Sequence, residues 1–571
     1  MAQKSELPAE LAWTGRFCGG LCADLKRRGP FFGSDWVDAC RPANLQLVAA
    51  CIFYLFFVCL SPALAFGTLM AEVTDDQIGV VETIASTALV GVVYAILAGQ
   101  PLCIQGATGP ELAYTIVFYN LCEQLDIEFL PARVWQGLWC SLFTVCLAMT
   151  DSCALMSHFT RFVEDIFAAL ISLIFLQSAI RNLAVAYVEE PAEVAFLTTL
   201  LCVGTFLLTM RLRGLKETNY GSRTIRNSLA NFAAPISILA FTLMAQLWRP
   251  PHDDVKISML DVPDEFRPTW TNPETGSARP WVVNPFGINK DFPVWAIFAT
   301  TVPAAGLALL GYLDQNLTTI IVNRPASGLQ KPAGYHWDLF VCGIFVYPVC
   351  CILGLPFTHN STAPSLIHLL SLTSHKEERS ATGEIIKRQS SRKAVAGVVE
   401  QRFTGFGIHA LIGISLIIAP VLQNVPKSVT FGIFLVMGVT STAGNQLLER
   451  LSLWCMFDSN SYPKYNFVTR VAHRQLHLYT AIQFGSFAIL VALTNISQVS
   501  VVFPFFMASL VFVRKAMKYL FTEKELEELD AREDKPMDDD FAPSKQSSRQ
   551  HMPAAVEVRA ENAEQVDVAV A

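Results

Sequence analysis

Between residues 45 and 521 the chain is a succession of apolar runs of roughly 16 to 25 residues, long enough to span or nearly span a bilayer with tilt. They fall near 45–70, 81–99, 103–122, 133–151, 160–184, 193–211, 228–247, 292–323, 336–354, 403–423, 429–448, 475–494 and 498–519. With a short segment at 362–373 they make about fourteen crossings or partial crossings. Only helices and closed barrels span hydrocarbon, because every backbone polar group must find its partner inside the protein. Runs of this length predict an all-α polytopic membrane protein. Composition agrees: of 571 residues, 52% are hydrophobic and 16% charged, too apolar for ordinary soluble domains of this size.

Charge placement orients the bundle. Lys26, Arg27 and Arg28 precede the first span, and basic residues cluster after the sixth (Arg211, Arg213, Arg223, Arg226), after the eighth (Arg324, Lys331) and after the short segment (Lys376, Arg379, Lys387, Arg392). The positive-inside rule puts those loops and both termini in the cytoplasm. The loop at 248–291 is long and Pro-rich and carries Asp253, Asp254, Asp261, Asp264 and Glu265, as suits an outside connection between two halves of seven. Residues 1–44 read as a cytoplasmic lead-in, 45–521 as the membrane domain, and the polar stretch 522–571 as a disordered cytoplasmic tail. The fifteen cysteines lie mostly within apolar runs without metal-ligand spacing, so they read as small buried hydrophobes. No nucleic-acid footprint, nucleotide loop, metal cluster or pairing of nucleophile with base is visible, which argues against an enzyme.

Two stretches interrupt the apolar pattern. In the first half LSPALAFGTLM is expected to break at Ser61-Pro62, and PLCIQGATGPELAY opens on Pro101 and gathers Gln105, Gly106, Thr108, Gly109, Pro110 and Glu111. In the second half GLPFTHNSTAPSLIHLLSL carries Pro356, the polar run Thr358 to Thr362, Pro364 and His368. Paired interruptions in the two halves of a polytopic chain are the best sequence pointer to a transporter's binding site. A helix that starts in mid-membrane aims unpaired amides and the positive end of its dipole into the space before it, so two such starts can bind an anion. Gly106, Thr108 and Gly109 are the expected donors from the first half, Ser361 and Thr362 from the second.

Asp314 sits inside the eighth apolar run, and Thr318 follows at the spacing that shares its helix face. An intramembrane carboxylate is costly and marks function by default. Aspartate with threonine and backbone oxygens suits sodium or a proton. Glu82, Glu111 and His368 are secondary candidates, Glu111 also as a cap for its own short helix.

These motifs resemble the bicarbonate-transporter family of chloride/bicarbonate exchangers, sodium-coupled bicarbonate cotransporters and, more distantly, borate exporters. The resemblance runs from about residue 24 to 521 and rests on CLSPALAFG (59–67), AGQPLCIQGATGP (98–110), RVWQGLW (133–139), IFAALISLIF (166–175), LDQNLTTIIVNRP (313–325), GYHWDL (334–339), EQRFTG (400–405) and FGIFLVMGVTSTAGNQLLER (431–450). It implies a seven-plus-seven inverted repeat with core and gate domains, dimers through the gate, an anion site between the third and tenth helices, and elevator-like alternating access at the plasma membrane. DQNLT is similar to the sodium-coupled members, whereas the electroneutral exchangers show Glu in place of Asp314 and an Arg where this chain has Pro364. The resemblance therefore implies transport of bicarbonate or carbonate with Na+ and no cofactor besides that coupling ion, with a sodium-independent exchanger or a borate exporter as the other readings.

Overall fold

The computed structural model describes residues 9–531 apart from 216–217, 219–220, 248–256, 261, 264–265, 274, 325–326, 376–394, 419–421, 443, 457, 459–460, 464 and 497–499. The basic residues of 376–394, the acidic run of the outer loop and the tail after Ala531 lie outside the described residues.

A helix α1 (Gly19–Arg28) precedes two sets of seven helical segments. The first set is α2 (Pro42–Val73), α3 (Val80–Leu97), α4 (Gly109–Gln124), α5 (Phe129–Met149), α6 (Arg161–Glu189), α7 (Ala192–Gly214) and α8 (Ala233–Leu247). The second is α9 (Thr301–Val322), α10 (Tyr335–Ile352, with a π turn at Cys342–Val346), α11 (Thr362–Ser371), α12 (Phe403–Ser415), α13 (Lys427–Ser441), α14 (His473–Asn495) and α15 (Phe503–Ala516). Among the described residues, seven helices are long and apolar enough to cross a membrane, or ten if each sharply bent pair counts as one span. The shorter segments include α4 and α11, the two that begin at the breaks.

The packing repeats with the halves exchanged. The fourth segment of the second set, α12, lies on α2 and α3, as the fourth segment of the first set, α5, lies on α9 and α10. These interlocked helices, with α4 and α11 between them, form a core. A second group forms beside it, in which α13 packs on α6 and α7, α7 on α8, and α14 on α6 and α15. Such pairwise interlocking explains why neither half folds as a separate lobe: each half's fourth segment finds its partners in the other half.

Two expectations need correction, and the lead-in gains detail. Ser61-Pro62 does not end the first span, since α2 runs continuously with Pro62 inside it and the Ser61 hydroxyl donates to the Phe57 carbonyl at 3.0 Å. Packed membrane helices tolerate proline because neighbouring helices and Ser/Thr hydroxyls satisfy the disturbed backbone. Within 1–44, the described lead-in packs on the core. Asp24 accepts from the His336 and Trp337 amides at the start of α10, and buried Asp35 takes Arg28, Lys331 and Arg402 at 2.6, 2.6 and 3.0 Å. Arg402 also donates to the Ala95 carbonyl in the last turn of α3, so the segment is pinned to the core. Within 522–571, a short helix α16 (Glu523–Leu529) starts on a Thr522/Glu525 capping box, and Asp530 pairs with Arg514 at 2.5 Å and accepts from the Tyr479 hydroxyl at 2.9 Å. That T-x-x-E spacing was the local signal that a polar composition concealed.

Candidate anion and cation site

The two breaks meet. Strand β1 (Gln105–Gly106) pairs antiparallel with β2 (His359–Asn360), with Gln105 opposite Asn360 and Gly106 opposite His359. The Ser361 amide extends the contact to the Ile104 carbonyl at 2.8 Å. Helix α4 then starts at Gly109 with Pro110 next, and α11 at Thr362 with Pro364 in its first turn. Proline suits a first turn, where its missing N–H would have had no acceptor and its fixed φ is already helical. The N-cap residues are Thr108 and Ser361, and neither side chain caps its helix. The paired strands thus bring two helix starts together with their first amides uncapped.

Across from them stands α9. Thr108 donates its hydroxyl to Asp314 Oδ2 at 2.8 Å instead of turning it back on α4. One turn on, the Thr318 hydroxyl donates to the Asn360 carbonyl at 3.0 Å and lies 2.7 Å from that of Thr362. Gly106, Thr108, Asp314 and Ser361 are half-buried and Thr362 is exposed, whereas Gln105, Gln315, Thr319 and Asn360 beside them are buried. The accessible members form one lining. Its chemistry is mixed: backbone amides at positive helix ends suit an oxyanion, and the oxygens of Asp314, Thr108 and Thr362, backed by the buried Thr318 hydroxyl and Asn360 carbonyl, suit a hard cation.

Gly106, Thr108, Ser361, Thr362, Asp314 and Thr318 are therefore brought together. Gly109 lies in the same first turn but is buried, and a Cβ there would stand 2.7 Å from Ile171 Cγ2 and 3.0 Å from Phe175 Cζ of α6. Its missing side chain lets the core approach the second helical group. The secondary candidates lie elsewhere. Glu82 accepts from the Gly79 amide at 3.0 Å and from Thr269 and Arg279, tying the outer loop to the start of α3. His368 bridges the Leu102 carbonyl at 2.9 Å and the Thr404 hydroxyl at 2.6 Å, in the seam between α11 and α12. Glu111 does not cap α4 but pairs with buried Arg133 of α5 at 3.0 Å.

Sequence reasoning missed the frame behind the lining. Gln105 Nε2 donates to Asn360 Oδ1 at 2.9 Å and to Gln315 Oε1 at 3.3 Å. Gln315 Nε2 and Asn360 Nδ2 in turn donate to the Tyr94 hydroxyl at 2.8 and 3.1 Å. This buried network ties both strands to α9 and α3, and hydrogen bonds in a low-dielectric interior hold one geometry, although Gln105 Oε1 is left without a partner among the described residues. The available signal was a run of amide side chains at hydrocarbon depth.

Two interlocked sets of seven segments, with a pair of mid-chain helix starts facing one lining, define a secondary-transporter architecture. The chain belongs to the bicarbonate transporter family: the model of the HCO3- transporter integral membrane domain matches residues 16–194 and 186–534. It is 34% identical over 545 residues to the human band 3 anion transport protein, covering 91% of this chain and 57% of that one. It is 33% identical over 598 residues to the electrogenic sodium bicarbonate cotransporter 1 of Oryctolagus cuniculus, covering 91% and 53%. The chain thus spans a little over half the length of these curated relatives. Among solved structures, that of SLC26A9 aligns with a TM-score of 0.51 at 13% identity, over 81% of this chain and 66% of that one, a likeness of fold alone.

Proposed function

We propose that this protein carries bicarbonate or carbonate across the membrane together with sodium, by alternating access in which the core moves against the second group as a gate. The observation that carries the reading is the pair of uncapped helix starts, at Gly109 and Thr362, beside a carboxylate that Thr108 holds at 2.8 Å. Helix amides attract the anion, while Asp314 opposes it unless a cation is also bound. Relatives of both kinds, a band 3 anion transporter and a sodium cotransporter, are about equally similar. What favours sodium is Asp314 itself, with Pro364 in place of the charged side chain that the resemblance assigns to exchangers. A sodium-independent exchanger and a borate exporter are the readings that the same test separates.

Gly106, Thr108, Gly109, Ser361 and Thr362 are the proposed anion contacts, and Asp314 and Thr318 the proposed sodium ligands. Sodium is cargo here, no cofactor is invoked, and no bond is made or broken. A plasma-membrane location, cytoplasmic termini and a homodimer through the gate complete the proposal. The gate helices α7 and α8 expose Phe196, Leu200, Leu239 and Leu243, an apolar face that suits lipid as well as a second copy.

Isotopic uptake into proteoliposomes, with sodium, anion and borate varied independently, tests this. Bicarbonate uptake should collapse when a large organic cation replaces sodium, and by linkage the anion should raise sodium affinity by the factor by which sodium raises the anion's. Asp314→Asn should abolish sodium dependence and most transport while reaching the membrane normally. Wild-type uptake indifferent to sodium would remove the coupling and leave exchange or borate export.

A further inference from the structure

The buried pair Glu111–Arg133 has no part in the lining, yet it sits within one turn of the helix start that helps form it. Glu111 is in the first turn of α4, and Arg133 reaches it from α5 at 3.0 Å, both side chains almost wholly buried. Arg133 also donates to the Thr115 hydroxyl at 3.3 Å, and its guanidinium sits 4.5 Å from the ring centre of Phe357. Phe357 belongs to the stretch that leads into β2, so the guanidinium is packed between the two breaks that build the site. Glu111 in turn stands three residues after Thr108, the N-cap of the same helix, whose hydroxyl donates to Asp314 Oδ2 at 2.8 Å.

The local charges are thus two carboxylates and one guanidinium. Without Glu111, Arg133 would lend the helix starts a fixed positive charge and could balance Asp314 by itself. With Glu111 in place, Arg133 is cancelled and Asp314 is left uncompensated. We propose that Glu111 is a specificity-determining residue, which neutralises Arg133 and so makes a co-bound cation necessary for the anion to bind. This rests on the anion-and-sodium reading given above. It differs from a purely structural ion pair in one respect: what matters is the net charge of the pair, so removing both members should restore what removing one disturbs.

The experiment uses the full chain in proteoliposomes, with uptake normalised to inserted protein. Glu111→Gln uncovers Arg133, so the apparent KM for bicarbonate should fall on the order of tenfold, with sodium stimulation shrinking alongside it. Glu111→Gln combined with Arg133→Gln should return both quantities to within about twofold of wild type, since the two changes are coupled through one contact. Arg133→Gln alone should move both the other way, and Glu111→Asp should resemble wild type. Breaking a buried pair at one end is destabilising. Should Glu111→Gln not reach the membrane, Arg133→Gln and the double variant carry the test. A double variant no better than the singles, or singles that both shift in one direction, overturns the proposal. A wild type with uptake but no sodium stimulation overturns the sodium reading and this proposal together, whereas sodium stimulation without the expected KM order overturns this proposal alone. A wild type with no bicarbonate or carbonate uptake overturns the functional reading and this proposal with it.

Discussion

The helix that begins at Gly109 and the one that begins at Thr362 occupy equivalent places in the two repeats, but they are held differently. The first is fixed on three sides. Thr108 is tied to a carboxylate, Glu111 to a guanidinium, and Gly109 is pressed on Ile171 and Phe175 of the gate. The second has no charged residue in its first turn, its Thr362 is exposed, and its link to α9 is a contact between two hydroxyls at 2.7 Å. Equivalent backbone therefore serves two tasks. The first half-helix carries the charge balance and the seam with the gate, and the second presents an accessible, neutral end.

Substitution at the seam should break this asymmetry most severely. Gly109→Val would drive its side chain into Ile171 and Phe175, an overpacking of about 1–3 kcal/mol. Because the clash lies where core meets gate, we expect transport to fall by about tenfold or more with surface labelling retained. Near-normal uptake would mean that this seam does not bear on transport.

The two threonines sharpen the comparison. Thr108→Val removes a hydrogen bond to a carboxyl group, worth about 1.5–3 kcal/mol when that group is charged, and Thr362→Val one between neutral groups, worth about 0.5–1.5 kcal/mol. Apparent sodium affinity should therefore drop further in Thr108→Val, while Thr362→Val should show its smaller effect mainly in anion affinity. Equal losses of sodium affinity in both would erase the proposed division of tasks.

The smallest effect is expected three residues before the seam. A Cβ at Gly106 would meet nothing nearer than Ser361 Cβ at 3.8 Å, so Gly106→Ala should change thermal stability by no more than about 0.5 kcal/mol. A large loss would show that the β1–β2 contact tolerates no added side chain. Together, Gly106 and Gly109 separate a glycine with room beside it from one that the packing requires.

What the sequence determined by itself is what short-range physics controls. Hydrocarbon-length apolar runs define the segments, Gly, Pro and polar residues within two of them define the breaks, and the spacing of Asp314 and Thr318 puts both on one helix face. Each of these signals is complete within one stretch of chain. Partner choice is not. That the Thr108 hydroxyl donates a hydrogen bond to Asp314, that Glu111 pairs with Arg133 and not with its own helix start, and that Gly109 faces Phe175 all depend on which helices lie side by side. The same holds for Asp24 and Asp35, which besides nearby arginines bind the His336 amide, Lys331 and Arg402 far away in sequence. An apolar stripe commits a segment to burial without naming its neighbour, because burial of apolar area is non-directional. Directional contacts become defined only once the two repeats interlock, and here those contacts set the charge of the site.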